Sequence, residues 1–181
     1  MIYIKSDKEI ELMRKPCEIV RDVLCLCEEK IRAGMTTKEL DKIAYDYITS
    51  CGAKPSFLGY GGFPAATCIS IDEQVVHGFP SDRIIEEDQI VSVDVGAFFN
   101  GFHGDAARSL YVGHISPEKK KLIDVTRECF FEGIKGICIG SALGDIGAQV
   151  QEHAEKNGFS VVRDMVGHGV GRNLHEDPSV P

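Results

Sequence analysis

The sequence lacks several features that mark whole classes of protein. No apolar run approaches the roughly 18 residues that a transmembrane helix needs. The N-terminus becomes charged at once and has no apolar signal-peptide core. Basic residues are in deficit, with 20 lysines and arginines against 28 aspartates and glutamates. Because proteins that bind phosphate backbones normally carry a basic face, we expect no nucleic-acid partner. Because no apolar run is long enough to span a bilayer, we expect no membrane partner.

Paired cysteines of the kind that hold zinc are also lacking. The seven cysteines are odd in number and include no Cys-x-x-Cys pair, so neither a zinc knuckle nor a disulfide framework is indicated. We therefore expect reduced cysteines and a cytoplasmic protein. A chain of 181 residues can bury a substantial core, and we predict one catalytic domain over residues 1–181.

Helices are predicted in two pairs. Ser6-x-x-Glu9 is a capping-box pattern, and the apolar residues after it keep helical spacing as far as Ala33-Gly34. Thr37 is predicted to cap a second helix that ends at Cys51-Gly52. The second pair is predicted to begin at Ser116-Pro117 and to finish with a helix over 143–156.

Strands are predicted between and after the helix pairs. The β-rich segments with glycine and proline punctuation are 66–71, 74–76, 89–99, 102–112 and 160–166. His103 and His114 are interpreted as turn residues.

An offset of 106 residues relates the two helix pairs. The matched positions are Gly34 with Gly140, Glu39 with Asp145, Leu40 with Ile146, and Gly52 with Gly158. This indicates an internal duplication with halves 1–115 and 116–181, although two amphipathic helix pairs can also look alike by chance. If the duplication is real, the hairpin of the first half has no counterpart in the second, which we expect to be incomplete.

Two aspartates lie in the most informative segment, on either side of Asn100-Gly101. This dipeptide between strand-like flanks predicts a two-residue hairpin turn. In that register Asp94 and Asp105 are diagonal neighbours on one face of the sheet, so their carboxylates can converge on one small ion. A cation between them would offset their repulsion. The alternative is a strand-end aspartate and a turn aspartate paired to Arg108.

Three histidines lie in loop-like settings that suit a ligand or a substrate contact. His168 lies between glycines in Gly167-His168-Gly169-Val170-Gly171, which gives a metal or a substrate access to the imidazole. His175 follows it in a loop, and His77 is expected at a strand end before a turn. Each of them alone is equally compatible with an ordinary loop residue.

Together and in this order, these segments resemble the type I methionine aminopeptidases. The matching text is Val76-His77-Gly78-Phe79-Pro80, Val93-Asp94-Val95-Gly96 with Gly101-Phe102-His103-Gly104-Asp105-Ala106, and Gly167-His168-Gly169-Val170-Gly171 with Leu174-His175-Glu176-Asp177-Pro178. The resemblance implies the α+β pita-bread fold, with a pseudo-two-fold repeat and an antiparallel sheet covered by helices. It implies removal of N-terminal methionine from nascent polypeptides with a small second residue, possible encounter with the ribosome, and a monomer.

The resemblance also implies roles for individual residues. Asp94, Asp105 and His168 match ligands of a centre of two divalent ions (Co, Mn, Fe or Zn), and His77 and His175 match the pair that contacts substrate and acts in catalysis. The methionine pocket would be lined by Tyr60, Phe63, Cys68 and Leu174. Leu174 replaces a phenylalanine common in the family, and Gly61 replaces a frequent histidine.

The family also has two glutamate ligands downstream of His175, and we expect this chain to lack them and to be inactive alone. Two other interpretations stay open. One is an inactive pita-bread protein that serves as a binding module. The other is a relative of the proline dipeptidases, which usually carry an additional N-terminal domain.

Overall fold

The helices of the first half begin and end where capping side chains and glycines allow. A computed structural model describes residues 1–181. In it, α1 (Asp7–Lys30) starts at the predicted Ser6–Glu9 capping box. The second helix, α2 (Thr37–Ser50), is capped by Thr36 rather than by Thr37. Thr36 accepts the Glu39 amide, while Thr37 is buried as the first helical residue and its hydroxyl donates to the Ser81 carbonyl.

The sheet of the first half is antiparallel and centred on one long strand. Its members are β1 (Lys54–Pro55), β2 (Thr67–Ile71), β3 (Ile90–Phe99) and β4 (Phe102–Tyr111). One edge of β3 pairs with β2 and then with β1, and the other edge pairs with β4 across the Asn100-Gly101 turn. Both turn residues have positive φ, 50° and 87°, as that type of hairpin turn requires.

The two faces of the hairpin have different environments. Alternate β3 residues Val91, Val93 and Val95 are fully buried against residues of α1 and α2. Because side chains alternate along a strand, Asp94 points to the opposite face. The valine face forms part of the main core, and the aspartate face lies outside it.

The second half repeats the helix pair. The helices are α3 (Pro117–Lys135), with Pro117 in its first turn as predicted, and α4 (Leu143–Lys156). Helix α4 lies 106 residues after α2 at both ends, and each is followed by a glycine with positive φ, Gly52 and Gly158. The duplication inferred from the sequence therefore has a structural counterpart. Two short strands, β5 (Gly167–Gly169) and β6 (Glu176–Val180), complete this half.

Three predicted local structures are wrong. Segments 74–76 and 160–166 are not strands. In the first, Asp72 has positive φ and the Gln74 amide turns back to the Ile71 carbonyl, so β2 ends before the segment. The third is His103, predicted as a turn residue, which belongs to β4.

By its contacts the chain divides into two compact units. The hairpin unit is Tyr3–Ile115 together with Val170–His175, and the second unit is Ser116–Gly169 together with Met1–Ile2 and Glu176–Pro181. The assignment of residues 1–181 to a single catalytic domain stays a prediction. No helix is both long and apolar enough to cross a membrane.

Candidate active site

The two hairpin aspartates meet as their register predicts. Asp94 is the partner of Ala107 and Asp105 is the partner of Gly96, which makes the aspartates diagonal neighbours. Their side chains are hydrogen-bonded to each other. Burial, which is the largest cause, and then the charge and hydrogen bond of Asp105 together raise the pKa of Asp94 from 3.8 to about 7. The alternative pairing of Asp105 with Arg108 is not seen, because Arg108 pairs with Glu28 at 2.7 Å.

The carboxylate pair has the chemistry of a cation site. Two half-buried carboxylates in contact cannot both be charged at low cost unless a cation lies between them. Without a cation, one of the two keeps a proton. Their oxygens suit hard and borderline divalent ions. No cluster of three or more histidine, cysteine, aspartate or glutamate side chains is arranged to hold a metal ion.

Two glycines let other segments approach the hairpin closely. A Cβ at Gly96 would lie 2.7 Å from Cβ of Ser56 and 2.9 Å from the Phe57 ring, on the aspartate face. A Cβ at Gly104 would lie 2.7 Å from the backbone of Pro16 and Cys17 in α1, on the core face. The small residues thus fix what packs on each side of the carboxylates.

An apolar cluster lies beside the carboxylates. Buried Cys68 is the β2 partner of Asp94, and it packs with Leu174 and Phe57, against which Phe63 lies. Burial, with the nearby carboxylates, raises the pKa of the Cys68 thiol to about 12, so the thiol stays neutral and forms an apolar wall. The structure therefore brings together three of the four predicted pocket residues.

Phe57 is a member of this cluster that sequence reasoning missed. Its ring meets that of Phe63 edge to face, with centroids 6.4 Å apart. It lies in a loop without periodicity, and only its closeness to Gly96 in the fold reveals it.

His175 is held by the remaining predicted pocket residue. Its Nδ1 lies 2.9 Å from the Tyr60 hydroxyl, and the two ring centroids are 5.2 Å apart. Tyr60 is the first residue of a short 3₁₀ turn, Tyr60–Gly62. Tyr60 therefore holds His175 and is not a member of the Cys68 cluster.

His77 lies in a tightly constrained loop. Its φ is +59°, a left-handed conformation that is uncommon outside glycine. The next residue, Gly78, leans directly on β2, where a Cβ would overlap the Ile69 carbonyl. The Phe79 ring then meets the Phe63 ring at a tilt of 60° with centroids 5.2 Å apart, which links the loop to the apolar cluster.

His168 belongs to β5 in the second unit. Its Nδ1 lies 2.9 Å from the Gly169 carbonyl oxygen. A carbonyl can only accept a hydrogen bond, so this contact places the proton on Nδ1 and the lone pair on Nε2. Metal-binding histidines commonly have this arrangement.

Comparison with known proteins decides the family. The model of metallopeptidase family M24 matches residues 11–181. A methionine aminopeptidase of Clostridium perfringens is 53% identical over 181 residues, which are 100% of this chain and 73% of that protein. The chain belongs to metallopeptidase family M24, among its methionine aminopeptidases.

Solved structures agree with this membership. A methionine aminopeptidase of Thermotoga maritima superposes with a TM-score of 0.97 at 44% identity, over 100% of this chain and 73% of that one. A prolidase of Pyrococcus furiosus superposes with a TM-score of 0.87 at 26% identity, over 98% of this chain and 51% of that one. The predicted pita-bread fold is confirmed, and so is the methionyl aminopeptidase class of metallo-exopeptidase by family.

Proposed function

We propose that this chain carries most of the site that removes N-terminal methionine from nascent polypeptides with a small second residue. The observation that carries the proposal is the carboxylate pair of β3 and β4 directly beside the Cys68 cluster. The chain would act in the cytoplasm, as a monomer and as one catalytic domain, on polypeptide N-termini at or near the ribosome.

Asp94 and Asp105 would hold the metal, with His168 as the nitrogen ligand. The aspartates are supported by their contact, their burial and the raised pKa of Asp94. His168 is supported by its glycine-flanked motif and by the tautomer that its Gly169 contact sets. A mixed oxygen and nitrogen ligand set is compatible with Co²⁺, Mn²⁺, Fe²⁺ or Zn²⁺, and we propose a centre of two such ions.

Bound divalent ions would supply a hydroxide from water near neutral pH and polarise the scissile carbonyl. His175 would donate a hydrogen bond to that carbonyl oxygen, held in place by the contact of its Nδ1 with the Tyr60 hydroxyl. His77 would contact the terminal amine and the scissile amide from its constrained loop.

The methionine side chain would occupy the cluster formed by Phe57, Phe63, Cys68 and Leu174. Aromatic edges and a neutral thiol offer polarizable contacts that suit a thioether. Tyr60 would border this pocket through His175. An apolar wall of this kind rejects charged side chains, because nothing in the cluster pairs with them.

The chain alone would show little aminopeptidase activity. The chain spans 73% of the length of the Clostridium perfringens relative. The two glutamate ligands and the base that the family resemblance implies would have to come from residues outside this sequence.

A proline-dipeptidase relative is less well supported than a methionine aminopeptidase. The chain is 26% identical to the prolidase of Pyrococcus furiosus and 53% identical to the methionine aminopeptidase of Clostridium perfringens. An inactive binding module is disfavoured because the two aspartates are retained and in contact.

Ligand binding tests the pocket without needing turnover. We expect methionine amide to shift the methyl resonances of Leu174. Norleucine amide should give a slightly smaller shift, and glutamate amide should give none. A Phe63→Ala variant, which opens the cluster beside Leu174, should weaken the response, and Leu12→Ala, on the exposed face of α1, should leave it unchanged. A response to glutamate amide equal to that for methionine amide would refute the pocket.

Hydrolysis tests the ligand argument. The purified chain is given a Met-Ala-Ser peptide with added Co²⁺ or Mn²⁺, beside the Thermotoga maritima enzyme as the positive control. We expect methionine release at background level. Turnover comparable to that of the control would show that Asp94, Asp105 and His168 suffice.

A further inference from the structure

The segment Val170–His175 is anchored on the hairpin unit by its own contacts. It carries Leu174 and His175, yet the strands on either side of it, β5 and β6, belong to the second unit. Its position on the hairpin unit therefore depends on the contacts that these six residues make with that unit.

One anchor is a backbone hydrogen bond at the hairpin tip. The His103 amide donates to the Gly171 carbonyl at 2.8 Å. His103 lies in β4, whose outer edge has no strand partner, so the segment occupies the start of that edge.

The second anchor is Arg172. Its Nη2 lies 3.0 Å from Oε1 of Glu9, a side chain that is only 13% exposed. Its guanidinium carbon lies 4.7 Å from the centroid of the Phe102 ring, and Phe102 is fully buried in the hairpin. A planar guanidinium can pair and stack at once, which a lysine cannot do.

Glu9 is itself held in place. The Ser6 amide and hydroxyl donate to its Oε2 at 3.0 and 2.8 Å, and the Tyr3 hydroxyl donates to Oε1 at 3.0 Å. Glu9 is thus a rigid anion at the start of α1, and it gives Arg172 a fixed point of attachment.

We propose that Arg172 is a positioning residue that fixes the Val170–His175 segment on the hairpin and thereby places Leu174 and His175 for methionine recognition. This rests on the proposed function for what the two residues recognise, but not for how the segment is held. Leu174 is 2% exposed in the Cys68 cluster, and His175 reaches Tyr60. Both contacts follow within three residues of Arg172, so a shift of the anchor is transmitted to them.

The His103 amide is the reporter of choice, because the segment supplies its acceptor. We expect Arg172→Met to speed hydrogen exchange of this amide about tenfold or more, since both an ion pair and a cation–π contact are lost. The ring ¹⁵N resonances of His175 should shift as well. Amides of β4 that bond to β3 should keep their protection, because the hairpin core does not depend on the segment.

Two further variants complete the test. Arg172→Lys keeps the charge but not the planar stack, so its His103 exchange should be intermediate. Arg14→Met is the matched control, because Arg14 is an exposed arginine of α1 that pairs with Glu11, and neither signal should change. Unchanged His103 exchange and His175 resonances in Arg172→Met would overturn the proposal.

Glu9→Gln repeats the test from the other side of the ion pair, should Arg172→Met fail to fold. The same two signals must move in that variant, and their constancy would overturn the proposal equally. Failure of the wild-type chain to bind methionine amide would instead refute the proposed function, because the exchange and resonance measurements require no ligand.

Discussion

Replacing Asp94 by asparagine is expected to stabilise the metal-free chain at neutral and alkaline pH. The folded state raises the pKa of Asp94 from 3.8 to about 7, through burial and then the charge of Asp105. Between these values the folded chain keeps a proton that the unfolded chain releases. Stability is therefore lost as pH rises through this window, and the loss is complete above about pH 7.

The magnitude follows from the size of the shift. Each unit of pKa corresponds to about 1.4 kcal/mol, which sets an upper limit of about 4 kcal/mol for Asp94. Asparagine must still bury an amide, and Asp105 shares the interaction, so we expect a gain of about 2 kcal/mol at pH 8. At pH 4 the folded wild type keeps the proton of Asp94, so this side chain is as neutral as the asparagine that replaces it, and the variant should match the wild type. With a urea slope of about 2 kcal/mol/M, the gain moves the midpoint up by about 1 M.

The assay is urea unfolding in EDTA at pH 4, 6 and 8. Asp46→Asn is the matched control, because Asp46 is an exposed aspartate paired to Lys42 and such pairs contribute about 0–1 kcal/mol. A loss of stability in Asp94→Asn that is equal at pH 4 and pH 8 would refute the reasoning. It would mean that folding does not shift the pKa of Asp94.

Further predictions concern packing, acid stability and the His175 contact. Gly104→Ala should cost about 1–3 kcal/mol in urea unfolding, because its Cβ would press on the α1 backbone; Gly144→Ala, with open space around it, should cost nothing, and equal costs would contradict this. Hydrogen bonds, chiefly from Ser6, lower the pKa of Glu9 from 4.5 to about 2, so Glu9 stabilises the fold above pH 4.5 and this is lost as pH falls toward 2. Acid unfolding followed by circular dichroism should therefore begin at a higher pH in Glu9→Gln, and an unchanged transition would argue against it. Tyr60→Phe should move the ring ¹⁵N resonances of His175 at a stability cost of about 1 kcal/mol, and unmoved resonances would mean that the contact is not formed in solution.

Local chemistry made much of the hairpin unit predictable. The capping box at Ser6, the turn at Asn100-Gly101 and the β3–β4 register depend on neighbouring residues, and each forms as expected. The contact of Asp94 with Asp105 follows from that register alone.

Features that depend on tertiary contacts were harder to predict. Residues 160–166 have strand-like composition but form no strand, since composition does not supply a neighbour to pair with. Phe57 enters the pocket because Gly96 leaves room for it, which no periodicity reveals. Arg172 is separated from Glu9 by most of the sequence, so their ion pair is visible only in the fold.

Metal titration tests the central claim most directly, namely that Asp94 and Asp105 form a cation site. Mn²⁺ is added to the chain in a calorimeter at pH 7.5, and the same titration is made with Asp105→Asn and with the control Asp46→Asn. We predict saturable binding by the wild type and the control, and an affinity at least about tenfold weaker in Asp105→Asn, because a carboxylate ligand is removed. Equal affinity in Asp105→Asn and the wild type would contradict the account.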